Sequence, residues 1–223
     1  MTFRASFLSV VPVAATLILA VVFSPTLEGQ EPRDKALLMN PQAFNEKAPA
    51  TFKAQFDASN GTFVIEVHRD WAPNGADRFY SLVKNGFYDG NRFFRVTPLM
   101  AVFGTHPDTA VAKRWLVADT KIPNDPERVH PNKRGTIALL QRAGRSTHTF
   151  INKVDNETLD FQITPCGQVV SGMDVVEKRY GGYGELFPTG KGPTMNDMLE
   201  KGDAFIAKEF PLMDYIKSVS IVP

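Results

Sequence analysis

Residues 91–104 read Asn-Arg-Phe-Phe-Arg-Val-Thr-Pro-Leu-Met-Ala-Val-Phe-Gly, and Arg95 stands in the middle of this apolar run. A cation in apolar surroundings costs free energy unless it is paired or reaches water. Arg95 is therefore either a working group held in an apolar site or a strand charge pointing outward. Alternation along the stretch does not separate the two. Other residues able to do chemistry are sparse. Ser146, His148 and Asp155 supply the types of an acyl-transfer triad, but no nucleophile elbow surrounds the serine and all three fall in one short segment. His68, His106, His130 and His148 are widely spaced and have no Cys partner, which argues against a metal site. Cys166 is the only cysteine, so an intrachain disulfide framework is excluded. Lys133, Arg134, Arg142 and Arg145 form a basic group without interleaved aromatics, which reads as a solvated rim and not as a nucleic-acid surface.

The elements around these residues are mostly short strands. Phe52, Ala54 and Phe56 alternate with polar residues, as do Phe63, Ile65 and Val67, and Ala58-Ser59-Asn60-Gly61 lies between them. That pattern predicts a hairpin with Asn-Gly in a type I′ turn. Pro73 suits a first helical turn, with Phe79, Leu82 and Val83 at helical spacing and Gly86 as the stop. The phenylalanines and valines of 91–104 favour strand. Residues 105–134 hold four prolines and many charges and read as a long excursion. Gly135–Leu140 and Thr149–Ile151 are further strand candidates. Val169–Val176 passes from strand into helix, and Tyr215–Val222 is the last strand. Many short strands with two or three helices indicate an all-β barrel or sandwich.

The N-terminus has a different character. Arg4 precedes an almost uncharged apolar run over residues 7–23, which reads as a signal peptide within residues 1–30. No clean cleavage site follows, so an uncleaved membrane anchor is the alternative, although the run is only marginally long enough to span a bilayer. Residues 31–50 read as a linker, and residues 51–223 as one domain with a sizeable core. The formal charge of +1 gives no reason to expect nucleic acid as a partner. An exported chain without disulfides points to a periplasmic or extracellular setting.

Several motifs in order carry a resemblance. Residues 72–90 read A-P-N-G-A-D-R-F-Y-S-L-V-K-N-G-F-Y-D-G, and 92–98 read R-F-F-R-V-T-P. They are followed by N-K-R-G-T-I-A (132–138), A-G-R-S-T (143–147), F-I-N (150–152), L-D (159–160) and C-G-Q-V-V-S-G-M-D-V-V-E (166–177). Together they resemble the cyclophilin family of peptidyl-prolyl isomerases over roughly residues 51–223. G-Y-G-E and K-E-F-P-L-M-D-Y-I-K resemble C-terminal pieces of exported bacterial members.

The resemblance implies a mainly β fold, a closed eight-stranded antiparallel barrel capped by two helices, with a substrate groove on its outer face. It also implies cis-trans isomerisation of X-Pro bonds, whose rotation must cross a barrier of roughly 20 kcal/mol because it breaks amide resonance. Such catalysis needs no cofactor and no metal. An apolar pocket grips the proline ring and a donor favours the twisted amide. Arg95 falls at the family's catalytic arginine, and Phe150 matches a proline-pocket aromatic. Leu99 or Met100 stands where the family has a pocket phenylalanine, Leu159 follows the family's pattern, and Ile163 falls near its histidine. The second substrate-binding glutamine has no clear partner, and His148 or Thr149 lies nearest it. The first glutamine position holds Val102 or Phe103, depending on a one-residue gap, and neither side chain can donate a hydrogen bond. The expected partners are Pro-containing polypeptide segments, the expected state is a monomer, and a membrane is involved only if the N-terminal segment stays uncleaved. The loss of polar contacts leaves a rival expectation open: a weakly active or inactive module that binds proline peptides.

Overall fold

The computed structural model describes residues 1–2, 34–117, 120–127, 129–140 and 145–223. The signal or anchor segment and Arg142 lie outside these residues. Eight strands, β1 (Thr51–Ala58), β2 (Gly61–His68), β3 (Arg95–Val96), β4 (Met100–Phe103), β5 (Thr136–Leu139), β6 (Thr149–Asn152), β7 (Gly167–Ser171) and β8 (Ile216–Val222), form one sheet. Their order is β3-β4-β6-β5-β7-β2-β1-β8, with every neighbouring pair antiparallel.

The β1–β2 hairpin forms where alternation predicts it, with Phe56 paired to Phe63 and their rings stacked at 4.8 Å. Its turn differs in detail from the expectation. Ala58 pairs with Gly61, so Ser59 and Asn60 make the two-residue connection and Gly61 opens β2 at φ +135°. Helix α2 (Pro73–Lys84) lays Phe79, Leu82 and Val83 against the inner face of the sheet. Its N-cap residue, Ala72, has no side chain able to cap, and the task passes to the excursion. Asp125 accepts from the backbone N–H groups of Asn74 and Gly75, at 2.7 and 2.9 Å.

The expectation of a closed barrel is corrected. The ladder is open between β3 and β8: β3 is only two residues long, and its Val96 bridges Gly184 instead of β8. Backbone bonds still join the chain ahead of each edge strand: Phe93 N–H donates to Asp214 O, Gly90 N–H to Ile216 O, and Ile216 N–H to Asn91 O, each within 2.9 Å. The expectation of two capping helices is also too small. Besides α2, short helices occur at α1 (Lys35–Leu38), α3 (Thr109–Arg114), α4 (Met173–Glu177) and α5 (Gly202–Glu209). A π-helical turn, Asp197–Lys201, leads into α5.

Two further expectations change. The described part of the supposed linker packs onto the domain: Leu38, Phe44 and Ala48 are buried, Phe44 meets the ring of Trp115 edge-on at 4.8 Å, and the Trp115 indole N–H donates to Leu38 O. Its apolar residues are too few to show periodicity, so only their tertiary partner reveals them. Arg145 is no solvated rim. Its side chain is 2% exposed and forms a salt bridge with the buried Asp125, with Nη1 donating to Pro123 O at 2.7 Å. Lys133 and Arg134 do remain at the surface, paired with Asp155, Glu157 and Glu177.

Candidate active site

Alternation along β4 sends its side chains to two different cores. Ala101 and Phe103 join the inner cluster with Phe56, Tyr88 and Phe93. Met100 and Val102 join a second cluster on the outer face with Phe94, Ala138, Phe150 and Ile163. Register then builds a row across four strands. Arg95 pairs with Val102, Val102 with Phe150, and Phe150 with Ala138. Directly paired residues share a face, so Arg95 stands on the outer face beside an apolar surface, which answers the question its sequence leaves open.

The Arg95 side chain is 28% exposed and tightly held. Nε donates to Glu185 Oε2 at 2.5 Å and Nη2 to Glu185 Oε1 at 2.7 Å. Nη1 points to Met100 Sδ at 3.0 Å, a weak acceptor that a better one can replace. The Arg95 charge keeps the Glu185 carboxyl below the usual carboxylate range, chiefly through this hydrogen-bonded pair.

Arg95 and Met100 line an open cavity of about 570 Å³ with Leu140, Leu159, Phe161 and Ile163, and Asn124, Glu127 and Gln162 at its polar edges. It is a mainly apolar recess with a guanidinium in its wall. Such a site can desolvate a flat apolar ring and present N–H donors to the amide beside it.

The expected site residues divide. Arg95, Met100, Leu159 and Ile163 meet in this cavity. Phe150 is 0% exposed, so it sits in the outer cluster beneath the surface and does not line the cavity. Phe103 is corrected as a binding residue: it points inward, with ring centroids 5.1 Å from Tyr88 and 5.2 Å from Phe93. Leu99 is not among the residues lining the cavity; it is 51% exposed on the turn between β3 and β4. His148 is turned elsewhere, its Nε2 bonded to the Thr105 hydroxyl at 3.0 Å and its ring against Phe94, and desolvation pushes its pKa down to about 4. The triad types are not assembled, since the Ser146 hydroxyl donates to Trp115 O and Asp155 accepts from Arg134 N–H. Among the described residues no group of three His, Cys, Asp or Glu side chains could hold a metal ion.

Residues 52–184 match the family model described as "Cyclophilin type peptidyl-prolyl cis-trans isomerase/CLD". The chain belongs to the cyclophilin-type peptidyl-prolyl cis-trans isomerases. It is similar to a peptidyl-prolyl cis-trans isomerase of Acinetobacter baylyi, 31% identical over 151 residues, which covers 64% of this chain and 79% of the relative. It is also similar to peptidyl-prolyl cis-trans isomerase B of Escherichia coli, 29% identical over 137 residues, covering 56% of this chain and 82% of that protein. The crystal structure of a cyclophilin type isomerase from Cryptosporidium parvum superposes with a TM-score of 0.56 at 13% identity, over 78% of this chain and 98% of the other. A second structure of that protein, determined in the presence of the dipeptide Ala-Pro, gives a TM-score of 0.55. These isomerases are cyclophilins in fold, and the shared architecture here is the eight-stranded curled antiparallel sheet with its accompanying helices.

Sequence reasoning missed Leu140, Phe161 and Glu185, and the polar Asn124, Glu127 and Gln162 at the cavity's edge. Leu140 and Phe161 carry no signal beyond being apolar. Glu185 lies far from Arg95 in the chain, and nothing in sequence pairs them.

Proposed function

We propose that this cyclophilin catalyses cis-trans isomerisation of X-Pro bonds in exported polypeptides, at the cavity beside Arg95. The observation that carries this reading is the convergence of the Arg95 guanidinium with Met100, Leu140, Leu159 and Ile163 on one outer-face recess. The proline ring enters the apolar part and leaves water. The peptide then displaces the weak Met100 thioether contact and receives Nη1–H donation. In a planar amide the nitrogen lone pair is delocalised into the carbonyl, and on rotation it returns to nitrogen. A donor placed at that nitrogen strengthens its bond as the amide twists, which is selective stabilisation of the transition state. No proton transfer, nucleophile or cofactor takes part in this cycle. Phe150 supports the recess from below.

The test is exchange of an Ala-Pro peptide by the purified full chain, followed by NMR. Arg95→Ala is expected to reduce kcat/KM by ~10²-fold or more, since a fixed donor in a desolvated site contributes on that order. An unchanged rate would refute Arg95 as the donor.

Val102 favours a second reading. It lies between Arg95 and Phe150 in the cross-strand row and offers no polar atom to a peptide backbone. In this reading the recess binds proline peptides without accelerating them, and exchange stays at the uncatalysed rate while peptide binding is retained. The export of the substrates rests on the sequence of residues 7–23 alone. Loss of that segment is expected to leave the protein in the cytoplasm, which fractionation of cells would detect.

A further inference from the structure

Glu185 is the first residue beyond the stretch that matches the family model, and it grips Arg95 by two hydrogen bonds. We propose that Glu185 is a positioning residue for catalysis, fixing the Arg95 guanidinium so that its Nη1 end stays turned toward Met100 and the cavity. This rests on the reading of Arg95 as the donor to the twisted amide.

Three observations carry it. First, the side chain next to Arg95 in the cross-strand row is Val102, which has no acceptor, so the polar partner comes from another element. Second, the fork engages Nε–H and one Nη2–H, two of the five donors of a guanidinium, and two contact points define its plane where one would leave it free to swing. Glu185 is not among the residues lining the cavity, so its pairing leaves the recess open.

Third, the Glu185 backbone is itself fastened. Val96, next to Arg95, donates its N–H to Gly184 O at 3.2 Å, Gly192 N–H donates to Glu185 O at 2.9 Å, and Lys191 N–H donates to Tyr183 O at 2.9 Å. A Cβ on Gly190 would lie 2.3 Å from Glu185 O, so the turn that presents the carboxylate closes only over glycine. The carboxyl is held below its usual range by Arg95 and stays ionised through the neutral region.

The test measures kcat and KM separately for Ala-Pro peptide exchange by the full chain. Glu185→Ala is expected to lower kcat by about tenfold or more with KM changed less than about threefold, because misplacing a catalytic group acts on the transition state more than on ground-state binding. It is expected to add nothing in an Arg95→Ala background. Glu185→Gln has the same shape and serves if the alanine chain does not fold. Its kcat should fall below wild type at neutral pH, and it should lack the acid limb on which wild-type kcat declines as Glu185 becomes protonated.

A Glu185→Ala chain with unchanged or higher kcat would overturn the proposal, a higher value meaning that Glu185 competes with substrate for Arg95. A loss of equal size in the Arg95→Ala background would overturn it in favour of a purely structural role. So would a Glu185→Gln chain with wild-type kcat and a wild-type acid limb. Wild-type activity of Arg95→Ala would overturn this proposal together with the assignment of Arg95. A slow Arg95→Ala chain beside a fully active Glu185→Ala chain would overturn the positioning role alone.

Discussion

Met100, Val102 and Phe103 are similar in hydrophobicity and adjacent in sequence, yet they do different work. Met100 lines the recess, Val102 fills the row beneath it, and Phe103 belongs to the inner core. The two-residue period of a strand, which no composition argument contains, sends Phe103 to the opposite face from Met100 and Val102. Leu99, one residue before β4, escapes both clusters and stays exposed. Phe103→Ala is therefore expected to destabilise the fold by ~3–5 kcal/mol in urea denaturation, the range for deleting a buried phenylalanine ring. Leu99→Ala should change stability by no more than about 0.5 kcal/mol, as surface substitutions do, and should leave peptide exchange at the wild-type rate. A large loss of exchange in Leu99→Ala would return that residue to the binding site.

At the scale of elements, two segments that look like connections are structural. The excursion between β4 and β5 supplies Asp125, which caps α2 and neutralises the buried Arg145 guanidinium. A buried charge without a partner would cost several kcal/mol, so the two residues depend on each other. The stretch before β1 supplies Phe44, which packs on Trp115 beside α3. Phe44→Ala is expected to cost about 3 kcal/mol, read as a lower urea midpoint, where a true linker residue would cost nothing measurable. The helix α2 and the β1–β2 hairpin were legible because their periodicity is local. The caps and packing of these two segments were not, because each partner lies tens of residues away.

For the whole molecule, pH acts through histidines that folding keeps neutral. His106 is buried, and its Nδ1 accepts the backbone N–H of Asp108 at 3.0 Å. Desolvation pushes its pKa down to about 4, and that of His148 to about 4 as well. Their unfolded values lie near 6.5, so between pH 6.5 and 4 the unfolded chain binds more protons than the folded one. Stability should accordingly fall as pH drops through that window and level off below it. The loss should be on the order of 3 kcal/mol for His106, and smaller for His148, which as a residue is only half-buried. Urea denaturation between pH 7 and 4 measures it, and His106→Asn should flatten the slope. A slope unchanged in that variant would remove His106 as its source.

By itself the sequence determined the family, the mainly β class, the hairpin and helix that begin the domain, and Arg95 as the residue to watch. These rest on local spacing and on motifs that occur in order, and both are properties of the chain as a line. Only the tertiary structure decided which neighbours Arg95 has. Strand register put Val102 beside it and buried Phe150 below. The cross-strand row turned its guanidinium to the outer face, and a loop ninety residues downstream delivered Glu185 to it. It also left the sheet open between β3 and β8, where the sequence resemblance implied closure. The physical reason is the same in each case. Side-chain pairing across a sheet and ion pairing between loops depend on distance in space, and only the folded chain sets that distance.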